Sequence, residues 1–266
     1  MNPSSVSLPA TLVAPDAWHA FGGVWRLTAR RFLAPRQLLP LPFVLAILAT
    51  LAGAVVRDGN ARVFHSWSTE FYLAFLVPVL AFLSGGGAFR DELKSGAIDY
   101  VLTRPIRRAV FVVFKFLAHQ ACFQLLCLSG LAVVAGVGVF RHIPDVWSVI
   151  PALLLGQGLL IAAFSALGFL CAVVTSRYLV VGLFYGVVIE AGVGNTPIQI
   201  NRLSMTHQVR DLIGRLIAAA PPVPAAPAQA AWATVAIVLA FAAVLVAVAS
   251  AVFSFQELAG ARPTDA

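Results

Sequence analysis

Charged residues are scarce in this chain. Its 266 residues include 18 Lys and Arg and 11 Asp and Glu, so 11% are charged while 60% are hydrophobic. An average soluble domain has about 25% charged residues, which cover its surface. The mean hydropathy of +0.91 points the same way. The composition therefore excludes a soluble domain and predicts an integral membrane protein.

Motifs for nucleotide binding, metal binding and catalysis are lacking as well. No glycine-rich loop followed by Lys and Ser or Thr is present, so any ATP-driven step requires a separate polypeptide. The three cysteines form no CxxC pair, and the five histidines show no HExxH or paired spacing, so no metal site is predicted. No serine has the motif of an intramembrane serine protease. We expect no enzymatic activity and no cofactor in this chain.

The net charge of +7 raises the question of nucleic-acid binding, which the position of the basic residues answers. They flank apolar stretches, as Lys and Arg do in loops retained on the cytoplasmic side. With a cytoplasmic N-terminus, the inner segments hold twelve basic residues and the outer loops six. We therefore expect both termini in the cytoplasm and no nucleic-acid partner.

Six apolar stretches approach or exceed the roughly 20 residues that a helix needs to cross a bilayer. They are Leu38–Val56, Phe71–Phe89, Val110–Phe140, Trp147–Thr175, Tyr178–Gly194 and Ala231–Phe255. We predict an all-α integral membrane fold with six transmembrane helices in residues 38–255. Residues 1–37 then form a cytoplasmic N-terminus, residues 256–266 a cytoplasmic tail, and Arg57–Glu70 a polar loop.

Two shorter segments have the pattern of amphipathic helices. In the N-terminal segment an aromatic stripe recurs at steps of three and four, through Trp18, Phe21, Trp25, Thr28 and Phe32. Arginines lie off this stripe, which favours an interfacial helix with its aromatic face toward lipid over a plain cytosolic helix. Before the sixth span, apolar residues repeat at helical spacing through Met205, Val209, Leu212 and Leu216. They predict a short interfacial helix.

Nine charged residues lie between Arg90 and Lys115, which makes this the most polar segment near the spans. Within it, Leu93, Ala97 and Val101 have helical spacing. A linker that only enforces topology does not need this apolar pattern, whereas a short amphipathic helix suits docking into a groove on a partner. We therefore predict a cytoplasmic coupling helix between the second and third spans.

The order of residues in this segment resembles the signature loop of type 2 ABC transporter permeases, the exporter-type membrane subunits. That loop follows the second helix and has acidic residues, a glycine step, an apolar run, a proline and two basic residues. The positions that match are Glu92, Gly96, Leu102, Pro105, Arg108 and Lys115. Lys94 and Ala97 stand where the family usually has a second acid and a threonine.

This resemblance implies a permease that works as a homodimer or heterodimer in the cell inner membrane. Separate ABC ATP-binding subunits, which hold ATP and Mg, would bind its cytoplasmic side. ATP-driven closure of those subunits would press on Glu92–Leu102, tilt the spans and export a substrate. The alternative is a non-transporting membrane subunit of the same fold that transmits force from an ATPase to an assembly or envelope machine.

The fifth span carries an ionisable residue, Glu190, which is costly in an apolar segment and so marks a functional position. Gly182, Gly186, Glu190 and Gly194 follow at steps of four and share one helix face, where glycines allow close helix packing. Glu190 and the residues up to Ser204 are also similar to a late region of these permeases. Two interpretations stay open. This face lines the pathway or the dimer seam, with Glu190 near the outer gate or bonded to a re-entrant loop, or Glu190 only caps the turn at Asn195.

A sparse polar set accompanies the third and fourth spans. Lys115 is expected to extend to the cytoplasmic headgroups, with a coupling role as the alternative. His119 and Gln124 are expected to hydrogen-bond between helices or to line a cavity, and Gln157 belongs to the same set.

Overall fold

The computed structural model describes residues 17–57, 59–94, 108–192, 194, 201, 203–217 and 231–260. This described part is almost wholly helical and contains no strand. Its α-helices are α1 (Ala17–Phe32), α2 (Pro35–Leu38), α3 (Leu41–Val55), α4 (Ala61–Trp67), α5 (Val77–Lys94), α6 (Arg108–Phe140), α7 (Val146–Val174), α8 (Tyr178–Tyr185), α9 (Met205–Ile217) and α10 (Ala231–Gly260). Two π-helical segments continue α4 and α8: the first π segment is Ser68–Leu76 and the second is Gly186–Gly192.

Within the described ranges, four helices are long and apolar enough to cross a membrane. They are Ala61–Arg90, Ala109–Phe140, Val146–Val174 and Ala231–Phe255. They contain the predicted second, third and sixth spans, and the predicted fourth span except for its last residue, Thr175. The predicted first and fifth spans correspond to shorter apolar helices, Leu41–Val55 and Tyr178–Glu190. The all-helical membrane fold is confirmed, while the six-span layout stays a prediction.

The helix that contains the predicted second span is longer than predicted at both ends. It begins at Ala61, where the side chain of Asn60 accepts a hydrogen bond from the amide of Arg62 at 2.9 Å. The predicted loop Arg57–Glu70 is therefore wrong from residue 61 onward. Buried Phe64, Ser68 and Tyr72 recur at steps of four, so one helix face packs inward while the charged residues Arg62 and Glu70 stay exposed. At the other end α5 continues into the charged segment as far as Lys94.

α7 is the central helix of the bundle. Twenty of its 29 residues are buried, and it contacts α5, α6, α9 and α10. Its approach to α5 is very close, because a methyl group added to Gly168 would lie 2.5 Å from the carbonyl oxygen of Phe82. A methyl group on Gly85 of α5 would similarly lie 2.8 Å from the carbonyl oxygen of Ser165. Small residues thus set the distance between these helices, as in other membrane bundles.

The two predicted amphipathic helices form, and both pack their apolar faces against protein. In α1, Val24 and Thr28 are buried against α6, whereas the Trp18 side chain is 78% exposed. In α9, the buried residues are Met205, Gln208, Val209, Leu212 and Ile213, and the predicted stripe member Leu216 is instead exposed. The location of these two helices at a membrane interface stays a prediction.

Candidate functional site

The predicted coupling residues fall, along the chain, at and between the ends of α5 and α6 and in the first two turns of α6. Gly96, Leu102 and Pro105 fall outside the described residues, as do the side chains of Glu92 and Arg108. The described backbone fixes the two ends of the segment: α5 ends at Lys94 and α6 begins at Arg108. These two helices contact each other, so residues 95–107 connect, along the chain, two helices that are neighbours in the bundle.

Lys115, the last of the predicted coupling residues, is fully buried between α6 and α1. Its Nζ donates to the Thr28 hydroxyl at 3.2 Å, and that hydroxyl donates to the Val24 carbonyl at 2.8 Å. The expectation that Lys115 extends to the headgroups is wrong, because α1 covers it. The side chain instead ties the N-terminal helix to the helix that follows the coupling segment.

His119 lies one turn beyond Lys115 and is enclosed by aromatic rings. The centroids of the Phe32, Phe123 and Phe169 rings lie 5.3, 5.8 and 5.5 Å from that of its imidazole. Neither ring nitrogen has a hydrogen-bond partner among the described residues, so the predicted interhelical hydrogen bond of His119 does not form. The imidazole serves as a packing element between α1, α6 and α7.

A polar contact between spans forms instead at Tyr72, in the first π segment. Its hydroxyl donates to Oε1 of Gln157 at 2.6 Å and also lies 3.1 Å from the carbonyl oxygen of Cys127. Gln157 was recognised in the sequence, but its tyrosine partner was missed because Tyr72 reads as an ordinary apolar-span residue. The contact joins α6, α7 and the first π segment in the buried interior.

Glu190 caps the N-terminus of α9. Its Oε2 accepts from the Ser204 hydroxyl at 2.5 Å and from the Thr206 amide at 3.2 Å, and its Oε1 accepts from the Met205 amide at 3.3 Å. The Ser204 hydroxyl in turn accepts from the His207 amide at 3.0 Å. A carboxylate here satisfies free amides and faces the positive end of the helix dipole. The capping target is therefore α9, and the predicted turn at Asn195 lies outside the described residues.

A groove lies between α5 and α8 and ends at this cap; we name it the outer groove. Its volume is about 590 Å³. One wall comes from the first π segment and α5, including Phe75, Pro78 and Phe82, and the opposite wall comes from α8 and the second π segment. π-Helical turns are rare and frequently occur at functional sites. Both π segments of this chain contribute to the same groove.

The predicted glycine face of the fifth span meets this groove. Gly182, Gly186 and Glu190 all line it. A methyl group on Gly182 would lie 2.1 Å from the Phe82 ring, so this glycine permits the contact with α5, whereas Gly186 has open space at the corresponding position. Gly194 does not line the groove and instead lies against Ser204. The spacing thus brought three of the four residues together, and their functional role stays a prediction.

Most residues that line the outer groove are apolar. Its polar lining residues other than Tyr185 lie at the end of the groove that meets α9. Thr206 and Arg210 line it from α9, one turn apart. Arg210 lies 3.2 Å from Nδ1 of His207, and since a guanidinium only donates, Nδ1 is the acceptor. The opposite nitrogen, Nε2, then donates to Asp211 at 3.3 Å. Sequence analysis assigned no role to Thr206 or Arg210. Their spacing of four on a strongly amphipathic helix predicts that they share one face, and this pattern could have identified them.

Similarity to a known protein family extends over nearly the whole length of the chain. A family model described as "ABC-2 family transporter protein" matches residues 26–258. This range includes the coupling segment, all six predicted spans and the outer groove. No curated protein matches the chain.

Proposed function

The chain belongs to the ABC-2 family of transporter proteins, and on that premise we propose that it couples ATP hydrolysis by a separate ATPase subunit to substrate export. As a member of this family it is a multi-pass membrane permease subunit of an ABC transporter. The proposal adds three points: the motor is a separate polypeptide that holds ATP and Mg, the direction is outward, and the coupling site is the segment that joins α5 and α6.

The continuity of α5 carries this proposal. The helix begins at Val77, lines the outer groove through Phe82 and Leu83, and continues without a break to Lys94. Twelve residues separate Phe82 from Lys94, which at 1.5 Å per residue is about 18 Å. A continuous helix that packs closely on α7 at Gly85 would transmit a displacement at the coupling segment to one wall of the groove. Glu92, Gly96, Leu102, Pro105 and Arg108 are the residues that we assign to contact with the ATPase.

Lys115 adds a second connection to the coupling segment. It lies two turns into α6 and joins α1 through Thr28. A displacement of the α6 end therefore also moves the N-terminal helix. We assign Lys115 a role in holding these two helices together while the ATPase acts on the segment.

The proposed arrangement has two permease copies in the inner membrane with both termini in the cytoplasm. The exposure of α8 supports its assignment to the dimer seam or the pathway, because the described part of the chain buries none of its residues. The Val180 and Phe184 side chains are 64% and 67% exposed, respectively. A second copy would cover this face, and the outer groove between α5 and α8 would then lie beside the seam.

The proposal is tested by co-expression with an ABC ATP-binding subunit, followed by reconstitution into vesicles. We expect the two proteins to purify together, the permease to change the ATPase rate, and Glu92→Arg to abolish that change. Glu70→Arg is the matched control, because it makes the same charge reversal at an exposed position in the first π segment, at the other end of the helix. Equal effects of the two variants would contradict the assignment of the coupling site.

Directional transport is a separate measurement. Vesicles that hold the complex with its ATPase facing outward are supplied with ATP, and accumulation of solute inside corresponds to export from the cell. Coupled ATP hydrolysis without movement of any solute would instead support the force-transmitting alternative.

A further inference from the structure

We propose that the outer groove binds an anionic amphiphile, and that this is the substrate class of the permease; the second part rests on the proposed function. The alkyl chain would lie along the apolar walls. A phosphate or carboxylate head would lie at Arg210 and Thr206.

The apolar walls of the groove favour an alkyl chain over a polar group. Apart from the α9 end and Tyr185, the lining side chains are aliphatic or aromatic, among them Phe82, Leu83, Leu179 and Leu183. A polar molecule would lose hydrogen bonds with water on entering such a groove, at a cost of a few kcal/mol per unpaired group. An alkyl chain gains from the same burial, because its transfer from water is favourable in proportion to the area buried.

The polar end offers donors and has its acceptors occupied. The Glu190 carboxylate already accepts from Ser204, Met205 and Thr206, and the Tyr185 hydroxyl lies against it. The Thr206 hydroxyl oxygen is shielded from solvent and has no hydrogen-bond partner among the described residues. The Arg210 guanidinium has five N–H donors, of which one is directed to His207. A head with several acceptor oxygens and a negative charge complements this end, since charge-assisted hydrogen bonds are the strong ones.

Two charged residues line this end of the groove, Glu190 and Arg210. The negative charge of Glu190 faces the amides at the start of α9 and is offset by them. One N–H of the Arg210 guanidinium is directed to Nδ1 of His207 at 3.2 Å. Asp211 is bonded to the other side of that imidazole. Arg210 is therefore the charge that the groove presents to a ligand.

The dimensions agree with one chain of a lipid-like molecule. Sites for small molecules are typically about 300–1,000 Å³, and the outer groove measures about 590 Å³. The polar end lies at the end of α8 that is remote from the coupling segment. A ligand with its head at Arg210 would extend its chain toward the middle of the predicted spans.

A binding experiment on the chain alone tests the ligand class. The purified chain in phosphatidylcholine nanodiscs is photolabelled with lysophosphatidic acid that carries a diazirine on its chain. Lysophosphatidylcholine with the same chain and diazirine is the comparison. We expect the phosphate monoester to label α5 and α8 at least about tenfold more, and Arg210→Gln to remove that preference. Arg215→Gln, on the same helix but outside the groove lining, is the matched control and should retain it.

A second pair of variants tests the location. Gly186→Leu places a side chain in the groove where a Cβ meets no atom within 4 Å, so the fold tolerates it while the ligand loses its space. Gly136→Leu makes the same change at an equally open position on α6. Labelling should fall about tenfold in the first variant and not in the second. Equal labelling by the two probes, or equal loss in the two members of either pair, would overturn the proposal.

The assignment as substrate is decided in complexes whose ATPase the permease stimulates. ATP should then reduce labelling of the groove several-fold as the ligand is released. Unchanged labelling in such a complex indicates a resident lipid and overturns the substrate assignment. Selective labelling of the chain alone, together with no stimulation of any ATPase, would overturn the proposed function and leave the ligand class standing.

Discussion

The Ser204 hydroxyl donates to the Glu190 carboxylate at 2.5 Å, which joins the end of the second π segment to the start of α9. The same carboxylate accepts two backbone amides of α9. α9 in turn buries Val209, Leu212 and Ile213 in the bundle. One ionisable side chain thus connects the apolar helix of the predicted fifth span to a helix that packs on α7.

Glu190→Ala should lower the stability of the protein measurably. The substitution removes three accepted hydrogen bonds and leaves the amides of Met205 and Thr206 without a partner, a change of about 1–3 kcal/mol. Glu190→Gln keeps one acceptor oxygen and should cost less. Thermal unfolding in detergent, followed by tryptophan fluorescence, measures the difference. Glu70→Ala is the control, since Glu70 is exposed, and an equal loss in both variants would speak against the cap.

Tyr72→Phe should destabilise the bundle through Gln157. The variant removes the donor at 2.6 Å and leaves the Gln157 amide buried with one more unpaired atom. Hydrogen bonds between membrane helices contribute about 0.6 kcal/mol on average and up to about 1.7 kcal/mol. Chemical denaturation of Tyr72→Phe, of Gln157→Leu and of the double variant gives the coupling free energy between the two side chains. The double variant should be no less stable than Tyr72→Phe alone, because no unpaired amide remains.

Sequence patterns located the long apolar helices because hydropathy over twenty residues does not depend on tertiary contacts. They did not locate the start of the helix that contains the predicted second span, since the polar residues Arg62 and Glu70 suggested a loop. The structure explains this error: Phe64, Ser68 and Tyr72 face inward at steps of four, so a helix forms although its outer face is polar.

The candidate site was predictable where it depends on spacing along one helix. Steps of four placed Gly182, Gly186 and Glu190 on one face, and the structure brings them to one groove. The partners from other helices could not be predicted, because Phe82 and Arg210 are brought to that groove only by tertiary packing. Burial of Lys115 was missed for the same reason: covering by α1 is a contact between distant parts of the chain.

Gly168→Ala should be strongly destabilising, whereas Gly158→Ala in the same helix should not. A methyl group on Gly168 would lie 2.5 Å from the Phe82 carbonyl oxygen and 2.9 Å from the Gly86 amide nitrogen, both backbone atoms of α5. Their separation requires α5 and α7 to move apart, and overpacking of this kind costs about 1–3 kcal/mol or more. At Gly158 no atom lies within 4 Å of the added methyl group. Alanine there should preserve or raise the melting temperature, since it favours a helix over glycine by up to about 1 kcal/mol.

Thr28→Val should loosen the contact between α1 and α6. The variant keeps the shape of the side chain but removes the oxygen to which Lys115 donates at 3.2 Å, so a buried ammonium loses an acceptor at a cost of about 1–3 kcal/mol. Trypsin cleavage at Arg26 and Arg30 of α1 should then become faster, and the melting temperature should fall. Thr50→Val is the matched control, because the Thr50 hydroxyl is exposed and bonds the Ile47 carbonyl within its own helix. Adding Lys115→Met to Thr28→Val should restore part of the lost stability, since the buried charge is gone; a further fall would show that Lys115 stabilises the junction through groups other than Thr28.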